Sequence, residues 1–127
     1  MKEETVIPQL IALTHKYVDT GESDEELYEH FATEFKNGEI VCASRGDRIV
    51  AFVDWAWISR FGDIAKAEDG EPTTGPVLFI MNYCIDDPEL TTWKLRHLLP
   101  PHRWIVWNER GELHAPRGWP SHVEKAA

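Results

Sequence analysis

The chain has 127 residues, of which 43% are hydrophobic and 28% are charged, a composition that excludes a disordered protein and suffices for one packed core. Its longest apolar run, residues 76–81, is too short to cross a membrane. The net charge is −9, and residues 1–40 hold ten acids against three bases, so we expect no binding to nucleic acid or to anionic membranes. The N-terminus lacks the pattern of a signal peptide, which predicts a cytoplasmic protein.

The first forty residues predict two helices. Apolar residues at helical spacing indicate a helix over residues 4–18, which the segment DTGES then interrupts. Ser23 and Glu26 have the spacing of a capping box, in which each side chain accepts a hydrogen bond from the backbone of the other. The helix that they open is expected to bury Leu27, Phe31 and Phe35 and to end at Asn37-Gly38.

From residue 39 the apolar residues alternate with a period of two. The segments EIVCASR and RIVAFVDWAWI flank Gly46-Asp47, which predicts a β-hairpin with a type II′ turn. Both faces of the second strand are largely apolar, as expected for a central strand that is covered on both sides. Cys42 and Cys84 lie on separate predicted strands, and we expect two free, buried thiols.

The second half of the chain predicts three more strands and one helix. Residues 60–75 form a long polar connection, which we expect to be functional or mobile. A strand over 77–85, a helix over 88–99, a strand over 103–109 and a short last strand follow. The order is α-α-β-β-β-α-β-β, an α/β (α+β) chain. We expect one domain over residues 1–120 and a loose tail over 121–127.

This order of elements resembles the GNAT acetyltransferase superfamily, and in particular the short, divergent GNAT-like proteins of phages and prophages. The likeness covers nearly the whole chain and is carried by GEIVCASRGDRIVAFV, by VLFIMNYCI before a helix and by WIVWNERGELHAP. It is a likeness of topology, without a shared motif. It implies a mixed, mostly antiparallel sheet in which strand 77–85 lies beside strand 103–109, with acyl-CoA between them.

The turn before the crossover helix departs from that family. Active members carry a turn of the form R/Q-x-x-G-x-G/A, whose backbone N–H groups bind the pyrophosphate. Here the corresponding residues, IDDPELTTWK, include no glycine. We expect Asp87 to be the N-cap, Pro88 the first helical residue and Glu89 an acidic residue of the first turn. Together with Asp86 these carboxylates should repel a diphosphate and disfavour ordinary CoA binding.

The resemblance also implies a set of site residues. The backbone of Asn82, Tyr83, Cys84 and Ile85 would pair with the amides of the acyl thioester, and Tyr83 would be a catalytic acid. Alternatively, these are core and rim residues of the strand, and no pattern indicates a reactive Cys84 thiolate. Asp54 interrupts an apolar strand and could be a general base whose pKa is raised by burial. The alternative is a strand-edge or solvent-facing aspartate that pairs with an arginine.

Six tryptophans and six histidines remain to be placed. Trp55 and Trp57 precede the long loop and are the candidates for a substrate cleft, whereas the other strand and helix tryptophans are expected in the core. Any of these aromatic faces could instead form a homodimer interface. His97 and His102 do not share a helical face, and no Cys or His pair has a zinc spacing, so we expect no metal.

Two functions therefore stay open. The first is acyl transfer from acetyl-CoA or another acyl-CoA to a small amine. The second is a non-catalytic binding or interaction module that has kept the fold and lost the cofactor turn. The acidic N-terminal helices would then suit a basic protein partner or would imitate the charge of a nucleic acid.

Overall fold

The computed structural model describes residues 2–17, 21–90, 92–109 and 112–114. These residues form an α+β structure with four helices and one mixed sheet, whose strand order is β1-β2-β3-β4-β5. The predicted tail, 121–127, lies outside the described residues. The elements are α1 (Glu3–Tyr17), α2 (Asp24–Asn37), β1 (Ile40–Arg45), β2 (Arg48–Ile58), α3 (Asp63–Glu68), β3 (Val77–Ile85), α4 (Thr92–Arg96), β4 (Trp104–Glu109) and β5 (Glu112–His114).

The chain packs as two compact units. Unit 1 comprises Met1–Asp54 and Tyr83–Leu99, and unit 2 comprises Trp55–Asn82 and Pro100–Ala127. Strands β2 and β3 each contribute residues to both units. The expectation of one domain over residues 1–120 stays a prediction.

In unit 1 the two predicted helices are confirmed, and so is the capping box at the start of α2. The Ser23 hydroxyl accepts a hydrogen bond from the Glu26 N–H at 3.2 Å, and the Ser23 N–H donates to the Glu26 carboxylate at 3.3 Å. Gly38 ends α2 with φ 68°, in the left-handed region that favours glycine. The local sequence therefore determines both ends of α2.

The predicted hairpin forms and is attached to α1. Strand β1 pairs with β2 in antiparallel register from Ile40↔Asp54 to Arg45↔Arg48. The Gln9 side chain of α1 accepts a hydrogen bond from the Ile49 N–H at 2.7 Å. Apolar residues of both helices pack against this hairpin and β3, and the core consists of Val6, Ile7, Leu10, Leu13, Leu27, Phe31, Ile40, Ile49, Phe52 and Cys84.

In unit 2 the predicted neighbours β3 and β4 do pair. Their register is parallel and runs from Val77↔Trp104 to Ile80↔Trp107, while β4 pairs with β5 in antiparallel register. Gly75, with φ 149°, passes so close to the Ile58 carbonyl that a Cβ atom would lie 2.1 Å from its oxygen. The chain thus needs glycine where it returns to the sheet.

Two sequence-based expectations about elements are wrong. The connection over residues 60–75 contains a helix, α3, so the observed order is α-α-β-β-α-β-α-β-β. The helix expected over 88–99 is much shorter, because α4 spans only Thr92–Arg96. Pro88 is not helical: the Leu90 N–H donates to the Asp87 carbonyl at 3.1 Å, which closes a β-turn with proline at its second position.

Candidate functional site

A polar cluster lies inside unit 1, between α2 and β2. On β2, residues two apart share a face, so Asp54 lies on the same face as Phe52. Phe52 contacts Phe31 of α2 edge to face, with 5.4 Å between the ring centroids. His30 and Glu34 are one helical turn apart on α2 and face Asp54. Packing of α2 against β2 therefore brings together a histidine and two carboxylates.

The three side chains of this cluster meet at the His30 imidazole. His30 Nε2 lies 3.3 Å from Glu34 Oε1 and 3.6 Å from Asp54 Oδ2. Asp54 has no exposed surface and Glu34 is 7% exposed, whereas the His30 side chain is 26% exposed. The alternative of a solvent-facing Asp54 does not hold. The cluster reaches solvent through His30.

Burial and mutual charge dominate the electrostatics of the cluster. Burial, followed by the charge of Asp54, raises the pKa of the Glu34 carboxyl far above its usual range. The contact with Asp54 raises the pKa of the His30 imidazole, against the opposing effect of burial. Because the separation is 3.6 Å, we regard this contact as an ion pair and not as a hydrogen bond.

The two cysteines are free, as predicted, and neither is activated. Burial, with a contribution from Asp54, raises the pKa of the Cys42 thiol to about 11 and that of Cys84 to about 12. Both thiols are therefore protonated at neutral pH, and neither is a ready nucleophile.

Hydrogen bonds and ion pairs connect the acidic turn after β3 to α1 and β1. Asp86 accepts hydrogen bonds from Lys16, at 2.8 Å, and from the Tyr17 hydroxyl. Asp87 accepts one from Arg45, whose guanidinium also donates to Glu89 at 2.9 Å. The expectation that Asp87 caps a helix is wrong, because its carboxylate accepts the Glu89 N–H at 2.9 Å inside the β-turn. The expected repulsion is reduced as well, because Lys16 and Arg45 offset two of the three negative charges.

The predicted cofactor residues lie along the second half of β3. Asn82 and Ile85 are half-buried and Cys84 is buried, while Tyr83, the predicted acid, is 38% exposed. Asn82 belongs to unit 2 and the other three to unit 1. Their proposed pairing with an acyl thioester stays a prediction.

The predicted substrate-cleft residues belong to unit 2. Trp55 is buried and Trp57 is half-buried. A cavity of about 430 Å³ lies in the polar connection, and neither tryptophan forms part of its walls. The walls include two cations, one carboxylate and three hydroxyl groups, from Arg60, Lys66, Asp63, Ser59, Thr73 and Thr74.

Sequence reasoning identified Asp54 and missed its partners. His30 and Glu34 have i, i+4 spacing on a helix that the sequence predicts, but such pairs are common on exposed helical faces. Comparison with known proteins found no matching family, no matching curated protein and no matching solved structure. Among the described residues, no helix combines the length and the apolar character that a bilayer crossing requires.

Proposed function

We propose that this chain is a non-catalytic binding module on a GNAT-like scaffold, of the divergent phage and prophage type, and that its partner is a basic protein. The observation that carries the proposal is the turn over residues 86–90. A pyrophosphate site at this position needs free backbone N–H groups.

Three of the four N–H groups of this turn are already engaged. Asp86 donates its N–H to the Val50 carbonyl at 2.7 Å, Leu90 donates to the Asp87 carbonyl, and Glu89 donates to the Asp87 carboxylate. Pro88 has no N–H group. A diphosphate would have to break these bonds, together with the ion pairs of Arg45 and Lys16. Occupied donors therefore disfavour CoA more strongly than the charge repulsion that the sequence suggests.

The charge of the N-terminal helices supports a basic partner. Six carboxylates are exposed on α1 and α2, and they can attract a positively charged surface from a distance. They are Glu3, Glu4, Asp24, Glu25, Glu26 and Glu29.

Acyl transfer is the second candidate, and the parallel pairing of β3 with β4 favours it. In the GNAT fold this strand pair holds the acyl-CoA. On this hypothesis Asn82–Ile85 would bind the thioester amides and Tyr83 would be the acid. Asp54, or a water molecule that it holds, would accept the amine proton. Trp55 and Trp57 would line the amine cleft.

Calorimetric titration with acetyl-CoA and with CoA separates the two candidates. We expect no heat of binding at millimolar ligand. A dissociation constant below about 100 μM, or about 5.5 kcal/mol, would overturn the binding-module proposal. The matched variant, Asp86→Gly with Asp87→Gly, removes the acceptor of Lys16 and the carboxylate that holds the Glu89 N–H, and it leaves Arg45 paired with Glu89 alone. If the occupied turn is what excludes CoA, this double variant should bind CoA more tightly than the wild type does.

A further inference from the structure

Three side chains in unit 1, one imidazole and two carboxylates, converge without a lysine or an arginine among them. One ligand atom from each of His30, Glu34 and Asp54 can be chosen so that all three atoms lie within 4.8 Å of one another. We propose that these residues form a binding site for one divalent transition-metal ion, with Zn²⁺ as the best fit. The site lies apart from the acidic turn, so it stands or falls independently of the proposed function.

The two separations that join the imidazole nitrogen to the carboxylates match tetrahedral coordination. Zinc binds nitrogen and oxygen ligands at 2.0–2.2 Å, so ligand atoms in a tetrahedron lie about 3.3–3.6 Å apart, against about 2.8–3.1 Å for neighbours in an octahedron. His30 Nε2 lies 3.3 Å from Glu34 Oε1 and 3.6 Å from Asp54 Oδ2. Three protein ligands leave a fourth position, which a water molecule would fill.

The Glu34 carboxylate gives an independent indication that this site binds a cation. This side chain is more than nine-tenths buried, and its Oε1 atom makes no hydrogen bond within the described part of the chain. His30 Nε2 is near enough, at 3.3 Å, but does not have the geometry of a hydrogen bond. A buried carboxylate oxygen without a donor is costly, and coordination to a cation would satisfy it.

The charge of the cluster selects a cation over an anion. The two carboxylates of the site attract a divalent cation and repel an anion. Other titratable groups whose charge acts on the cluster are acidic or neutral and add no positive charge: Glu22, Glu39, Cys42 and Cys84.

The donor atoms narrow the choice of metal. Mg²⁺ and Ca²⁺ favour shells composed of oxygen ligands, whereas imidazole is a ligand typical of zinc and its neighbours in the first transition row. One imidazole with two carboxylates therefore favours Zn²⁺ or Co²⁺. The partly exposed His30 provides the route by which an ion would enter.

The test uses the full chain after treatment with a chelator. Calorimetry with Zn²⁺ should show one ion bound per chain, and Co²⁺ should give the intense visible absorption of a tetrahedral site. Loss of a residue that only hydrogen-bonds a metal ligand typically weakens metal binding by about 10–100-fold. Glu34 is proposed as a direct ligand, so Glu34→Gln should weaken binding by about a hundredfold or more. Glu29→Gln makes the same charge change at an exposed position of α2 and should bind like the wild type.

Two results would overturn the proposal. One is equal affinity of the Glu34→Gln and Glu29→Gln variants, which would place the ion elsewhere on the surface. The other is no binding of Zn²⁺ or Co²⁺ at millimolar concentration. If Glu34→Gln does not fold, as judged by far-ultraviolet circular dichroism, His30→Gln decides, because this side chain is partly exposed. Wild-type affinity in His30→Gln would also overturn the proposal.

Discussion

Unit 1 contains two groups of carboxylates whose surroundings are opposite. Glu34 and Asp54 are buried beside a single imidazole, whereas Asp86 and Asp87 face Lys16 and Arg45. Burial raises the pKa of Glu34. By contrast, the Glu89 N–H and then Arg45 lower the pKa of Asp87, and Lys16 and Tyr17 lower that of Asp86.

The difference shows that the neighbours of a carboxylate, more than its position in the sequence, decide what it can bind. In the acidic turn, Asp86 and Asp87 already contact cations and N–H donors. In the buried cluster, desolvation and the charge of Asp54 disfavour the charged form of Glu34. We therefore propose the buried cluster, and not the segment that resembles a cofactor site, as the place where a cation binds.

Asp54→Ala should have the largest effect on stability. The variant removes the buried counter-charge of His30, and loss of one partner from a buried ion pair typically costs about 3–5 kcal/mol. Urea denaturation at neutral pH with a chelator present measures the change, and Asp47→Ala, at an exposed position of the hairpin loop, is the control. A loss below about 1 kcal/mol would show that the buried cluster is not held together by charge.

Arg45→Ala should have a smaller effect, and Lys16→Ala a smaller one still. Arg45 bonds Asp87 and Glu89 together, and the Asp87 side chain is only 6% exposed. Lys16 pairs with Asp86, whose side chain is 23% exposed. In the Lys16→Ala variant, water can therefore solvate the Asp86 carboxylate and offset more of the lost ion pair. Urea midpoints of the two variants should follow this order. The reverse order would contradict the argument that the ion pairs of Arg45 stabilise the turn more than that of Lys16.

Low pH should abolish the stabilisation that the Asp87 carboxylate gives to the folded state. The folded pKa of Asp87 is depressed, so its stabilising effect is complete above the unfolded pKa of about 3.9 and disappears as the pH falls through the folded value. Asp87→Asn should therefore be less stable than the wild type at pH 7, and the two should converge at acid pH. Denaturation curves at several pH values measure this, and a constant difference down to pH 2 would refute it.

The sequence by itself determined the elements whose signals are local. The capping box at Ser23, the left-handed Gly38 and the two-residue hairpin loop each depend on neighbours within a few positions, and all three form as expected. The alternation along β2 also identified a buried central strand. These features are predictable because backbone conformation and short-range hydrogen bonds decide them.

The tertiary structure alone decided which polar groups meet. Arg45 lies more than forty positions before the turn and donates hydrogen bonds to Asp87 and Glu89. These residues form a β-turn, where the sequence predicts the start of a helix. Asp54 stood out as an acid in an apolar strand, but its alignment with α2 depends on how the helix packs against the hairpin. Pairing between distant residues is set by packing of the whole core, and no local pattern encodes it.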